Sequence, residues 1–171
     1  MKRALSVAAV AAIASAASAD TVTVDYNVDS IDSGTVVSDT IALPDVLSID
    51  SITIDIAHTW GGDLEITLTS PTGDVFELMF DDVDTSGSGN FDMGLVAGSG
   101  GINNVAPYEF VESGGLEEWD DSNGVAPAGT YNANAWASGG WSAGDWTLLI
   151  NDDAGGDPTS IGSVTIAYTI P

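Results

Sequence analysis

The sequence predicts an all-β domain, built as an antiparallel β-sandwich or jelly roll. Apolar and polar residues alternate with period two along most of the chain, which places one face of each strand in a core and the other in solvent. Helical periodicity is absent after the N-terminal segment. Short clusters of Gly, Pro, Asp and Ser separate the alternating runs, as turns do between the strands of a sandwich.

The predicted strands follow one another at short intervals. The longest alternating run extends from Ile49 to Trp60, with Ile52, Ile54 and Ile56 on one face. Ser70-Pro71-Thr72-Gly73 predicts a turn, because proline presets the backbone at the second turn position. Further strands are predicted at 21–28, 35–43, 64–69, 76–80, 108–112, 146–150 and 164–170, with Phe76, Leu78 and Phe80 forming one buried face.

Two stretches, 81–104 and 113–145, lack alternation and are predicted to be long loops. Loops of this length in a compact domain often carry function. The second stretch contains Trp119, Trp136 and Trp141. We expect these rings to close the open end of the sandwich, because aromatic side chains bury a large area. The alternative is that they stack on sugar rings or anchor a protein partner.

The N-terminus predicts a secretory signal at residues 1–19. Lys2 and Arg3 precede an apolar run, Ala4 to Ile13, which is too short to span a bilayer, and Ala17-Ser18-Ala19 is an A-x-A cleavage site. Cleavage would leave residues 20–171, a suitable length for one domain. No second apolar span follows, so we expect a soluble product outside the cytoplasm, with no membrane contact after signal cleavage.

The charge balance excludes several classes of partner. Lys2 and Arg3 are the only basic residues, so the processed chain would have none and would retain all 26 acidic side chains. Such a surface repels nucleic acid and anionic lipid. The chain has no cysteine, which excludes disulfides and thiolate–metal sites.

Two separated motifs carry the most specific signal. The first reads His58-Thr59-Trp60-Gly61-Gly62-Asp63-Leu64 and leads to Ser70, Pro71 and Gly73; the second, near the C-terminus, includes Gly144, Trp146 and Leu148. An acidic turn with Asp152, Asp153 and Asp157 follows. In this order the motifs resemble the P domain (P/Homo B domain) of kexin- and furin-like proprotein convertases and bacterial subtilisin-type proteases. The resemblance covers almost all of residues 20–171.

The resemblance implies an all-β sandwich of jelly-roll type without catalytic residues of its own. In that family the serine endopeptidase activity belongs to a preceding subtilisin-like domain, for which we expect no room between the signal and the sandwich. The leading hypothesis is a secreted, non-catalytic module that binds or stabilises a protein or polysaccharide partner. The alternatives are an accessory to a separately encoded subtilisin-like protease, an extracellular structural or adhesive protein and, more remotely, a hydrolase in its own right.

His58 is the only histidine. It has the parity of Ile52, Ile54 and Ile56, so we expect a core histidine that bonds near the Gly61-Gly62 bend, with Asp63 as its candidate partner. The resemblance also implies a structural role. The alternative is the base of a Ser-His-Asp triad. No nucleophile elbow accompanies it in the sequence.

Clustered carboxylates are the candidate metal ligands. Calcium takes six to eight oxygen ligands, which acidic loops supply. The preferred clusters are Asp81, Asp82 and Asp84 at a strand end and Asp152, Asp153 and Asp157 in the acidic turn; a third comprises Glu117, Glu118, Asp120 and Asp121. The alternative is that each is a solvated turn, since turns favour Asp. A carboxylate pair for glycoside hydrolysis is the weakest interpretation, because nothing distinguishes one acid from another.

Overall fold

The computed structural model describes residues 17–80, 91–96, 98–116, 125–139 and 141–171. Their secondary structure is β throughout, apart from two 3-10 turns at Gly61–Asp63 and Ile102–Asn104. The strands are β1 (Ser18–Ile31), β2 (Gly34–Leu43), β3 (Ser48–Ala57), β4 (Leu64–Thr69), β5 (Val75–Met79), β6 (Asp92–Met93), β7 (Ala106–Val111), β8 (Val125–Ala126), β9 (Gly129–Asn132), β10 (Gly144–Asp152) and β11 (Thr159–Ile170).

The strands form two main sheets with the connectivity of a jelly roll. One sheet has the order β1-β11-β3-β7-β9, the other has β2-β10-β4-β5, and β6 pairs with β8 in a small third sheet. The antiparallel pairs are nested: β1 with β11, β2 with β10, β3 with β7 and β4 with β5. A long two-stranded ribbon rolled into a sandwich produces this order. The predicted fold class is confirmed.

Two short pairings in this otherwise antiparallel arrangement are parallel. β9 joins β7 in parallel, and β6 joins β8 in parallel. A parallel pair needs a crossover connection of a dozen or more residues, and the chain between Val111 and Gly129 provides one. These strands are too short to show alternation, so both loop predictions missed them.

The core lies between the two main sheets, on the predicted faces. Ile52, Ile54 and Ile56 of β3 are fully buried, and so are the alternate residues Trp146, Leu148 and Ile150 of β10. Burying one such aliphatic side chain stabilises the fold by about 1.5–3 kcal/mol. The period-two pattern therefore identified the inward face of the central strands correctly.

The prediction that Phe80 faces the core together with Phe76 and Leu78 is wrong. Phe76 and Leu78 are buried, but Phe80 is 42% exposed and Met79 takes its place inside. The register explains the change, because Ile66 lies opposite Met79 while Thr67 lies opposite Glu77. This irregularity adds one residue to β5 and reverses the side-chain direction beyond it.

Aromatic rings pack around Phe76 of β5, among them Trp136 and Trp141 of the second predicted loop. Both are half-buried against Phe76, with ring centroids 4.9 and 5.6 Å away, and the Trp146 ring lies 6.0 Å from Phe76. Trp119 lies outside the described residues.

β1 is longer than predicted and irregular. Asn27 and Ser30 have φ angles of 51° and 54°, at the two shifts of its register with β11. Ser18 and Ala19, which the predicted cleavage would remove, pair with Ile170 and Thr169. The signal-peptide boundary stays a prediction.

Candidate functional site

The predicted motif forms a bend that leads from β3 to β4. His58 makes a backbone bridge to Met93, with its N–H 3.0 Å from the Met93 oxygen and its own oxygen 2.7 Å from the Met93 nitrogen. The Gly61 N–H then donates to the Phe91 oxygen at 2.7 Å. Only glycine fits at position 61, because a Cβ there would lie 2.1 Å from the Phe91 ring. The bend therefore packs tightly against the segment at 91–93.

His58 lies at the centre of this region and is completely buried. Its Nδ1 accepts the Trp60 backbone N–H at 2.7 Å, so the proton of the neutral ring is on Nε2. Nε2 stands 3.3 Å from Asp152 Oδ2 at an angle too poor for a hydrogen bond. Asp152 Oδ2 also accepts the Thr159 hydroxyl at 2.8 Å. The imidazole thus links the β3–β4 bend to the β10–β11 turn.

Burial lowers the pKa of His58, because the charged form of the ring would be a cation without access to water. Asp152, and more weakly Asp157 and Asp92, act in the opposite direction. The geometry favours the neutral form, since a protonated Nδ1 could not accept the Trp60 N–H. The arrangement holds an uncharged histidine in a fixed tautomer.

The carboxylate beside His58 is Asp152, whereas the sequence suggested Asp63. Asp63 contributes its backbone oxygen instead, which accepts the Asp153 N–H at 2.9 Å. A signal for the true neighbour was present in the sequence. Asp152 has the parity of Leu148 and Ile150, so continuing the alternation by one step would have placed it in the core.

The remaining motif residues have structural contacts. Thr59 donates to Asp157 at 2.9 Å, and Ser70 Oγ accepts the Asp74 N–H at 3.0 Å. Gly73 has a φ of 92°, which favours glycine. Leu64 is fully buried in β4, Gly62 is buried in the 3-10 turn, and Trp60 is 41% exposed.

The two distant motifs meet at Gly144. Its φ is 141°, and a Cβ at this position would stand 3.1 Å from the Pro71 ring. The glycine before Trp146 therefore allows the Ser-Pro-x-Gly turn to pack against the start of β10. This contact gives both motifs a structural role that involves no catalysis.

The acidic turn is only partly available to a cation. Asp152 is buried and engaged as described, Asp157 accepts from Thr59, and Asp153 is exposed. Across the described ranges, no three His, Asp or Glu side chains come together as a metal site. Asp81, Asp82 and Asp84 lie outside the described residues, as do Glu117, Glu118, Asp120 and Asp121. Calcium binding stays a prediction.

The comparisons agree with the motif. The family model described as Proprotein convertase P-domain matches residues 50–99, which include the first motif, so the resemblance to this family is confirmed. No curated protein matches the chain in sequence.

Two similar solved structures are the serine protease of Aeromonas sobria and that protease in complex with its chaperone. Each is 12% identical, with a TM-score of 0.47 over 91% of this chain. The chain spans about a quarter of their length, 27%.

The part of the chain that the structure describes contains no helix with the length and apolarity to cross a membrane.

Proposed function

We propose that this protein is an exported, non-catalytic P-domain-type module that binds and stabilises a protein partner. The burial of His58 is the observation that supports the non-catalytic part of this proposal. The ring contacts a buried carboxylate and a backbone N–H, and the hydroxyl on that carboxylate belongs to Thr159, which is itself fully buried. A substrate carbonyl has no access to this set.

The same contacts argue against a serine-protease triad. In a triad, the imidazole nitrogen that faces the serine must accept its proton, and the carboxylate holds the other nitrogen. Here, as in a triad, the nitrogen facing the carboxylate carries the proton, but the nitrogen that would have to accept the serine proton, Nδ1, already accepts the Trp60 backbone N–H. The role of His58 is to fix two turns.

A subtilisin-like protease is the class of partner we propose first. The matching family consists of modules that accompany proprotein convertases, and the chain carries the motif of such a module. We propose that the domain acts as an accessory to such a protease. A calcium ion held by Asp81, Asp82 and Asp84 or by the acidic turn would add stability, because it would neutralise clustered carboxylates.

The test uses immobilised chain from Asp20 to Pro171 and the culture medium in which it is naturally found. We expect the eluate to hydrolyse casein, a serine-protease inhibitor to block this activity, and the captured protease to last longer at elevated temperature with the domain than without it. An unrelated protein of similar negative charge is the control, because it reproduces electrostatic capture alone.

Other outcomes would overturn this assignment. Capture of a polysaccharide or of matrix proteins without protease activity would indicate an adhesive role instead. Hydrolysis of casein by the purified domain alone would contradict the non-catalytic proposal.

A further inference from the structure

The two sides of the sandwich differ in how their sheet edges are covered. β9 ends the five-stranded sheet, and Leu116 bridges its outer side at Tyr131. β5 ends the other sheet, and Ala135 bridges its outer side at Glu77. At the opposite side of the sandwich, β1 and β2 each pair on one side only among the described strands.

β1 is also incompletely covered on its inward face. Val22, Val24 and Tyr26 point towards the core but are only half-buried, whereas the inward residues Ile41 and Leu43 of β2 are buried. A single strand added beside β1 would cover these side chains. The apolar flank of β1 therefore has room for one more strand.

The backbone of β1 presents hydrogen-bond groups to this open side. The Thr21 N–H donates to the Asp20 carboxylate at 2.8 Å, from which we infer that it points away from β11. In an antiparallel pair this direction repeats at every second residue, which gives Thr23 and Asp25 outward N–H groups. The left-handed Asn27 ends the regular stretch.

Two carboxylates lie along the same edge of β1. Asp25 is exposed beside Thr23, and Asp39 of β2 accepts the Tyr26 hydroxyl at 3.4 Å across the gap between the sheets. Asp39 has the inward parity of Ile41 but is exposed. No Lys or Arg occurs after Arg3 to neutralise these acids.

We propose that the free edge of β1, from Thr21 to Tyr26, binds an extended protein segment in which apolar and basic residues alternate. Backbone hydrogen bonds would add the segment as a strand, as in β-augmentation. Its apolar side chains would cover Val22 and Val24, and its basic side chains would meet Asp25 on the outer face. The inference rests on the proposed partner-binding function and names the chemistry of the partner.

The probes are three fluorescent peptides of about eight residues, the length of an ordinary strand. One alternates Lys and Val, one alternates Glu and Val, and one is the Lys/Val peptide with alternate backbone nitrogens methylated. We expect only the first to bind in fluorescence anisotropy at physiological salt. Hydrogen exchange should slow at Thr21, Thr23 and Asp25 when it binds.

The decisive variant is Thr23→Pro, which removes an outward N–H but leaves the β1–β11 ladder intact. Thr40→Pro is its matched control. The Thr40 N–H also donates to the carboxylate of the preceding residue, Asp39 Oδ1, at 2.8 Å, but it lies on β2, whose inward residues Ile41 and Leu43 are already buried. We expect Thr23→Pro to weaken Lys/Val binding by about tenfold or more, and Thr40→Pro to leave it unchanged.

Unchanged affinity of Thr23→Pro, equal binding of the Glu/Val or methylated peptide, or no binding of the Lys/Val peptide at about 1 mM would overturn this inference. If Thr23→Pro does not fold, Asp25→Lys replaces it, and its affinity for the Lys/Val peptide should fall. The protease co-elution test is separate, so failure here leaves the proposed function standing.

Discussion

Trp146→Ala is expected to be the most damaging single truncation in the central β10 strand. Trp146 is fully buried, lies opposite Ile41 of β2 and packs near the Phe76 ring. Its indole Nε1 donates to the Ser142 oxygen at 3.2 Å. The substitution removes the packing of the ring and leaves this carbonyl without its donor.

The expected loss is a large fraction of the stability of the domain. Truncating a buried Trp to Ala costs about 3–5 kcal/mol, and an unsatisfied polar group adds about 1 kcal/mol or more. A typical domain has about 5–15 kcal/mol in total. Since 1 kcal/mol shifts the melting temperature of a domain of this size by about 2–4 °C, we expect a fall of about 10 °C or more.

The assay is calorimetric melting together with urea unfolding at fixed salt. Trp141→Ala is the matched control, because Trp141 packs against the same Phe76 ring but is only half-buried. We expect it to lose less than half as much stability. If Trp146→Ala melts with the parent, or if both variants lose the same amount, the assignment of Trp146 to the core is refuted.

Four further predictions concern the site and the surface. The purified chain should cleave neither casein nor fluorogenic peptides; turnover that disappears in a folded His58→Ala variant would contradict this. Because burial lowers the pKa of His58, the unfolded chain binds a proton more readily, and stability should decrease as the pH falls through about 6.5. Urea midpoints should show this slope in the parent and lose it in His58→Gln; an identical slope in both would assign it to other groups. Gly61→Ala should destabilise the domain by about 1–3 kcal/mol through overpacking against Phe91, while Gly139→Ala, with open space around it, should be nearly neutral; equal effects would reject the packing argument. Millimolar calcium should raise the melting temperature more than magnesium or sodium chloride at equal ionic strength. A 100-fold excess of free calcium over its Kd would add about 2.7 kcal/mol to the free energy of unfolding. An equal rise with all three salts would leave only charge screening.

The sequence predicted the central strands well, because their inward residues alternate without interruption. Ile52 and Trp146 occupy the expected face. Prediction failed where one residue changes the register, as at the irregularity that exposes Phe80. It also missed β9, because a four-residue strand has no measurable period and its parallel pairing depends on a long connection.

The site was predictable in part. Burial of His58 followed from its parity with the isoleucines of β3, but its neighbour depends on tertiary structure. Asp63 is close in sequence, whereas Asp152 is brought to the ring by the pairing of β10 with β4, which puts it opposite Leu64. The alternation of β10 indicates that Asp152 is buried, but only the pairing of the two strands shows that it lies beside His58.

The pairing of β1 with β11 has a consequence for how the chain acquires its structure. Ser18 pairs with Ile170, so β1 has to wait until β11 has been synthesised before it can form its ladder. Such non-local pairing makes folding slow. Until β11 is available, the alternating valines of β1 would remain exposed. The acidic residues interspersed along β1, at Asp20, Asp25 and Asp29, would then keep neighbouring nascent chains apart by repulsion.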